Sequence, residues 1–479
     1  MIRAVISVVV IVVSLWVLQG ARQGVQITAF ETGGTPVVRY AVADAGGPAV
    51  VIAHGFAGSQ QMMQGYALPL ARAGYRVYAF DFLGHGRHGV LMSGDVSSVD
   101  GTTRLLVEQT RSVMDFVDAG GHPLALIGHS MATDILVRAA QGRNDLGPMV
   151  LISAFSREID AGFPQQLLLV SGAWEAGLRQ AALDSVRLVA ADAREGETVQ
   201  AGDVQRRMVA APFSEHVSVL QSRVARGETM AWLDRAYGRA SVVRILPTGW
   251  AILGLLVGLV VLFPVLARRL RDASVAAHAL NGRQIAVVVG LPAVLAPMIA
   301  VPLDPGFLPV LVADYLGVHL AIYGAVQLGL LWYWGALRGR MDWGAFVLLL
   351  AWCVLFGVAL DRYAANFWPT VERIWIIALL LPGGVLFMVA DAMATHGAGF
   401  WRRFGLRAGF FASLGGAVAL DFEGLFFLLL IAPVLVLFFV IFGPMGRHVA
   451  QRAGPLAPGL ALGVVLGWAL GVSFPLFQA

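Results

Sequence analysis

Residues 124–134 read Leu124-Ala-Leu-Ile-Gly-His-Ser130-Met-Ala-Thr-Asp134. Four apolar residues suited to a buried strand run into Gly128 and Ser130, and Ile135-Leu-Val-Arg-Ala-Ala140 follows at helical spacing. A chain that turns sharply from strand to helix holds the turn residue in an unusual backbone conformation and crowds its neighbours. The positions two before and two after must therefore be small, and Gly128 and Ala132 are. Such a turn leaves the Ser130 hydroxyl standing at the strand tip, as a nucleophile requires. The five-residue pattern arises easily by chance in a chain rich in Gly and Ala, so its weight comes from its surroundings.

Short β-rich runs precede it at 25–30, 37–42, 49–53 and 75–80, and others follow at 149–153, 166–170 and 207–211. Helical stretches intervene from the third run onward. This alternation predicts a mostly parallel sheet of about eight strands covered by helices, with the first pair antiparallel. With Ser130 after the fifth strand, residues from about 25 to 240 resemble the α/β hydrolases of the esterase, lipase and serine-peptidase type.

The resemblance implies roles for other residues. His54-Gly55-Phe56 ends the third strand, where these hydrolases place a backbone N–H beside the one that follows the nucleophile. Phe56 and Met131 are thus the implied oxyanion donors, two dipoles aimed at the negative oxygen of a tetrahedral intermediate. Asp81-Phe-Leu-Gly-His-Gly86 matches the loop after the fourth strand, with Asp81 and His85 as buttresses of the turn. An acid and then a histidine should follow in the chain. Glu175 takes the acid slot after the seventh strand, His216 follows the eighth, and Asp160 after the sixth is the reserve acid. In isolation Glu175 reads as a solvated surface acid and His216 as an exposed loop histidine; their order and strand positions favour the catalytic reading.

Three features depart from the family pattern. Ala132-Thr133 stands where Gly-Gly or Gly-Ala often follows the nucleophile, and the acid is Glu rather than the commoner Asp. Only Ser156 to Gln165 separates the sixth and seventh strands, where lipases usually insert a lid. Met62, Met63, Val90, Leu91 and Met92 lie near the expected entrance and suit either an acyl chain or the core. The closing helix is expected from about Glu215 to Tyr237. The resemblance implies no cofactor and no metal.

The whole chain is 58% hydrophobic and only 13% charged, too apolar for an ordinary soluble protein. Ala4 to Leu18 forms an anchor or signal core, and Gln19-Gly20 makes a poor cleavage site, which favours a retained anchor. From Pro247 onward apolar runs of bilayer-crossing length recur near 247–267, 284–303, 312–336, 343–360, 374–393, 405–420, 424–443 and 457–475. Three parts result: an anchor over 1–20, an α/β-hydrolase domain over 21–245, and an all-α polytopic transmembrane domain over 246–479. Arginine marks Arg3, the loop Arg268 to Arg283, Arg338 with Arg340, Arg402 with Arg403 and Arg407, and Arg447 with Arg452, which are every second loop and so share one side. The positive-inside rule then puts the N-terminus in the cytoplasm and the hydrolase outside, as in a bacterial inner membrane.

The net charge of +4 is too small over this length to suggest a nucleic-acid partner, and the single Cys353 can form no disulfide within the chain. Gly459, Gly463, Gly467 and Gly471 recur every four residues and read as internal helix packing ahead of dimerisation. Asp314 with His319, and Asp391 with His396 toward the cytoplasm, are ionisable pairs in or beside crossings. Asp304, Asp314, Asp361 and Asp421 are expected near the outer face and read first as caps and interhelical hydrogen bonds, with headgroup or metal binding as the functional alternative.

The leading expectation is a membrane-anchored extracytoplasmic serine hydrolase cleaving acyl esters or thioesters of membrane-associated substrates such as lipids or acylated proteins. Two alternatives stay open. One is a transporter or channel with a regulatory hydrolase-like domain; the other is a serine peptidase or acyltransferase using the same three side chains.

Overall fold

The computed structural model describes residues 2–95, 99–272 and 280–478. The chain divides into two compact units: Val12–Leu255 with Leu360–Asn366, and Met1–Ile11 with Leu256–Ala359 and Phe367–Ala479.

The first unit is built on nine strands: β1 (Gln26–Thr32), β2 (Thr35–Ala41), β3 (Ala49–Ala53), β4 (Arg76–Phe80), β5 (Leu124–His129), β6 (Leu146–Ile152), β7 (Gln166–Gly172), β8 (Thr198–Ala201) and β9 (Val204–Ala211). Their order in the sheet is β1-β2-β4-β3-β5-β6-β7-β9-β8. The six strands from β4 to β9 in that order run parallel, and antiparallel pairing is confined to β1/β2, β2/β4 and β8/β9. Central strands such as β3 are buried along their whole length, because both faces are covered and every side chain needs an apolar partner. On one face Ile52, Ile127, Ile152 and Val170 pack against Tyr66, Leu70, Trp232 and Leu233.

The covering helices are α2 (Gln64–Arg72), α3 (Arg104–Phe116), α4 (Met131–Ala140), α5 (Ala176–Arg187) and α6 (Arg223–Ala236), after the N-terminal α1 (Ile2–Arg22). The strand count exceeds the expected eight by β8. That strand is short and its residues are exposed except for a half-buried Val199, and it turns through Gly202-Asp203 into β9 with Gly202 at φ +58°. The closing helix starts later than expected, at Arg223, because a 3-10 turn at Ser218–Gln221 comes first and the Ser222 hydroxyl caps α6 by accepting the Ala225 N–H.

Leu360–Asn366 belongs to this unit through specific contacts. Arg87 pairs with Asp361 at 2.8 Å, the Asn366 N–H donates to Ser59 Oγ at 3.0 Å, and Gln64 donates to the Arg362 carbonyl at 3.2 Å.

The second unit is helical. After α7 (Thr248–Ala267) come α8 (Gly282–Leu303), α9 (Ala313–Tyr333), α10 (Trp343–Tyr363), α11 (Val371–Thr395), α12 (Phe400–Leu420), α13 (Phe422–Leu425), α14 (Leu428–Ala453) and α15 (Leu456–Ser473). Eight helices of the described residues are long and apolar enough to cross a membrane: α1, α7 to α11, α14 and α15. The crossing expected at 405–420 is not among them. Its helix, α12, begins four residues before Phe404 and takes in Arg402, Arg403 and Arg407.

The glycine stripe of α15 packs inside this unit. A Cβ at Gly459 would meet Val389 Cα at 2.8 Å, and one at Gly463 would meet Val385 Cα at 2.6 Å, so glycine is what lets α15 lie against α11. Asp314 accepts the Phe307 and Leu308 N–H groups, and His319 is held between the Tyr315 hydroxyl at 3.1 Å and Ser413 at 3.0 Å. Both are satisfied structural groups. Among the described residues no three His, Cys, Asp or Glu side chains converge as a metal site would require.

Candidate active site

Ser130 adopts φ +52° and ψ −119°, a conformation that a non-glycine residue holds only when its surroundings impose it. The imposition is visible. The Ser130 N–H donates to the Ile152 carbonyl at 2.9 Å, and the Ser130 carbonyl accepts both the Thr133 N–H at 2.9 Å and the Thr133 hydroxyl at 2.6 Å. Thr133 Oγ1 in turn accepts the Phe155 N–H at 3.2 Å, so the residue that departs from the family pattern ties the turn to the next strand's loop. A Cβ at Gly128 would fall 2.7 Å from Leu136 and 3.1 Å from the Ala132 carbonyl, which is the crowding the sequence pattern implies.

Strands β5, β7 and β9 run parallel, and the loops beyond their carboxyl ends bring three side chains to one point, as open α/β sheets do. His216 Nε2 lies 2.8 Å from Ser130 Oγ, and His216 Nδ1 lies 2.6 Å from Glu175 Oε1. The other carboxylate oxygen accepts the Ser153 hydroxyl at 2.7 Å and the Gly172 N–H at 2.6 Å. Burial alone would raise the Glu175 pKa, but the bonds from His216, Ser153 and Gly172 outweigh it and hold the carboxyl below its ordinary value. Glu175 is therefore an anion facing the imidazole, which fixes Nδ1 as the protonated nitrogen and leaves Nε2 to accept from the hydroxyl. A serine so placed can attack a carbonyl while the imidazole takes its proton. Asp160, the reserve acid, is elsewhere: it closes a turn by accepting the Gly162 and Phe163 N–H groups.

The His216 loop is secured by a neighbour that the sequence reading passed over. His129 Nε2 donates to the His216 carbonyl at 2.8 Å, and the two rings lie 5.0 Å apart. His54 donates from Nδ1 to the Gly55 carbonyl at 2.7 Å and accepts the Phe82 N–H at Nε2. Burial pushes both histidines down to about 4, so each is neutral at pH 7. Asp81 lies 3.7 Å from His54 but is engaged by the Gln60 and Arg87 N–H groups, the buttressing role expected of it.

Comparison with known proteins agrees with this construction. The family described as "Serine aminopeptidase, S33", of the α/β-hydrolase type, matches residues 47–194. This unit is an α/β-hydrolase domain. Solved structures similar to it include one described as a predicted CIB-like hydrolase from Thermoplasma acidophilum, at 16% identity, covering 44% of this chain and 98% of the other with a TM-score of 0.34. Another from Thermus thermophilus is 16% identical, with coverages of 45% and 99% and a TM-score of 0.33. An epoxide hydrolase from an endophytic Streptomyces is 26% identical over 28% of this chain and 38% of its own, with a TM-score of 0.23. No curated protein matches the chain in sequence.

The hydrolase domain places the remaining expected residues unevenly. Gly55, the residue before Phe56, closely approaches the turn: a Cβ there would lie 3.0 Å from Ser130 Cβ and 2.9 Å from His129 Nδ1. Met63 corrects the expected lining, because it is wholly buried in the core with Tyr66 and Leu70, and Met62 packs against the same cluster. Met92 is likewise buried, while Leu91 is half-buried beside an exposed Val90. The apolar residues that do stand out at this end of the sheet are others. Trp174 and Val217, each beside a member of the hydrogen-bonded chain, are exposed, as are Phe155 and Phe213. The Trp174 N–H donates to the Ser214 carbonyl at 3.1 Å, which joins two of these loops.

Proposed function

We propose that the protein is a membrane-anchored serine hydrolase acting outside the cytoplasm on acyl esters or thioesters of membrane-associated substrates, lipids or acylated proteins among them. The observation that carries the reading is the continuous chain Ser130, His216, Glu175 at 2.8 and 2.6 Å, on a serine whose backbone is held at positive φ. Ser130 attacks the acyl carbon. His216 takes the hydroxyl proton, then returns it to the leaving alcohol or thiol, and Glu175 orients the ring and stabilises its charged form. The Phe56 and Met131 N–H groups hold the oxyanion. Water, deprotonated by the same imidazole, then releases the acid.

Trp174, Phe213, Val217 and Phe155 support a substrate with hydrocarbon chains, since exposed apolar side chains gathered by a site mark where an apolar ligand or surface is met. The short loop between β6 and β7 carries no helix that would cover them. Orientation is supported by the arginines at residue 3, 268–283, 338 and 340, all of which precede α12 and so do not depend on whether that helix crosses.

Gly55 gives a first expected result. Gly55→Ala should lower kcat about a hundredfold with KM nearly unchanged, because the added methyl separates the Phe56 segment from Ser130 by a few tenths of an ångström or more. Steady-state kinetics on a short soluble ester measure this, and an unaltered kcat removes Phe56 from the mechanism.

A second result tests the whole reading. A membrane-impermeant fluorophosphonate should label the wild-type protein in spheroplasts and leave Ser130→Ala unlabelled. Absence of labelling on folded wild-type protein returns the helical unit to the leading role. A serine peptidase is the second reading, favoured by the description of the matching family. It uses the same residues on an amide, and turnover of aminoacyl amides in preference to acyl esters would select it.

A further inference from the structure

The helical unit contains a cavity of about 930 Å³ lined by residues of α11, α12, α14 and α15 and of the turn after α11. One part of its wall is apolar, formed by Phe411, Val436, Phe439, Val440 and Leu462. The other carries Arg403, Arg407 and Arg447 against a single lining carboxylate, Asp391. That carboxylate is already committed. Arg407 binds it with both Nε and Nη2, at 3.0 and 2.8 Å, while the guanidinium lies 4.3 Å from the centre of the Phe439 ring. Gly443 makes room for this arrangement, since a Cβ there would fall 3.0 Å from Arg407 Nη1.

Arg403 and Arg447 are left as surplus positive charge. Arg403 donates to the Ala398 carbonyl, and among the described residues neither arginine forms an ion pair. Basic pockets between membrane helices on the cytoplasmic side are suited to anionic headgroups. The apolar wall asks for something different. A small anion alone would leave Phe411, Val436 and Val440 facing water, whereas an anion bearing a hydrocarbon chain satisfies both halves at once.

We propose that this cavity binds an anionic amphiphile, with a phosphate-type head on Arg403 and Arg447 and an acyl chain along Phe411, Val436, Phe439 and Val440. The pair Asp391–Arg407 neutralises itself and serves as the floor between the two halves. The site is independent of Ser130 and stands whether or not that residue is a nucleophile.

The test uses the full-length protein in a non-ionic detergent, titrated with dioleoyl phosphatidylglycerol, dioleoyl phosphatidylcholine or inorganic phosphate, with bound lipid counted by native mass spectrometry. Wild-type protein should bind phosphatidylglycerol about tenfold or more tightly than phosphatidylcholine, and R403Q/R447Q should bring the two within about twofold. Ala408→Trp, which adds bulk to the wall without changing charge, should weaken phosphatidylglycerol binding as well. R338Q/R340Q, outside the cavity, should leave the preference intact. Should the double variant fail to elute as a single species, Arg447→Gln alone, at an exposed position, carries the same expectation at about a third of the size. Equal binding of the two lipids by wild type overturns the proposal, as does a preference that survives loss of both arginines. Displacement of the lipid by inorganic phosphate at comparable concentration overturns it in favour of a simple anion site.

Discussion

Replacing Ser130 by alanine should lower turnover of an acyl ester by about 10⁴- to 10⁶-fold, and His216→Ala should cost nearly as much. The reason for the near-equality is the 2.8 Å bond between them. Neither group does its work without the other, so the double variant Ser130→Ala/His216→Ala should be no slower than the worse of the two singles. Glu175→Gln should cost less, on the order of 10² to 10⁴, because the imidazole then loses its orienting anion and its preferred tautomer while the nucleophile remains. Rates of p-nitrophenyl ester hydrolysis by the purified wild type and the four variants give the comparison directly. Losses that multiply in the double variant, or a His216→Ala protein that retains its rate, would show that the two residues act separately. The triad mechanism would then be untenable. The residual activity of the double variant reports what the oxyanion donors achieve alone.

The three members of this site could be read from sequence because each follows a buried strand whose apolar run is hard to mistake. Leu124–Ile127, Leu167–Val170 and the end of β9 must be covered on both faces, and the residues just beyond them must then gather at one end of the sheet. What sequence left unread has physical reasons. Arg206 sits inside β9 and is wholly buried, its guanidinium donating to the Ser185 carbonyl at 2.7 Å and to the Phe163 carbonyl at 3.1 Å. A charged residue at that position reads as a strand boundary, so β9 was expected to begin at Arg207 instead of Val204. β8 is an exposed edge strand whose only strong signal is the Gly202-Asp203 turn. Met63 and Met92 show the converse. Nearness in sequence to a strand end does not say which face a side chain takes, and the core took both. The rim formed by Trp174, Phe213 and Val217 was unread because a single exposed aromatic or aliphatic residue on a loop carries no pattern.

Acidification should unfold the hydrolase domain well before its carboxylates titrate in the usual range. His54 and His129 are buried, and each folded-state pKa is pushed from 6.5 down to about 4. The unfolded chain therefore binds protons that the folded domain refuses, and stability falls as pH drops from about 6.5 to about 4. Each histidine accounts for about 3 kcal/mol across that window, and the two together approach the whole stability of a typical domain. Glu175 acts in the same direction at lower pH, since a depressed carboxyl pKa contributes stability that is lost as pH falls through it. Thermal unfolding of the full-length protein in detergent at half-unit steps from pH 7.5 to 4 should show a midpoint that is flat above 6.5 and then declines steeply. His129→Gln, which does not titrate, should lower stability at pH 7 through the altered contact to the His216 carbonyl and flatten the decline below 6.5 by about a third, since burial pushes His88 in the same unit down to about 4 as well. Ser130→Ala should leave the slope unchanged. A wild-type midpoint that holds steady down to pH 4.5 would mean that these imidazoles accept protons in the folded state, and the neutral His129 that secures the His216 loop would have to be abandoned.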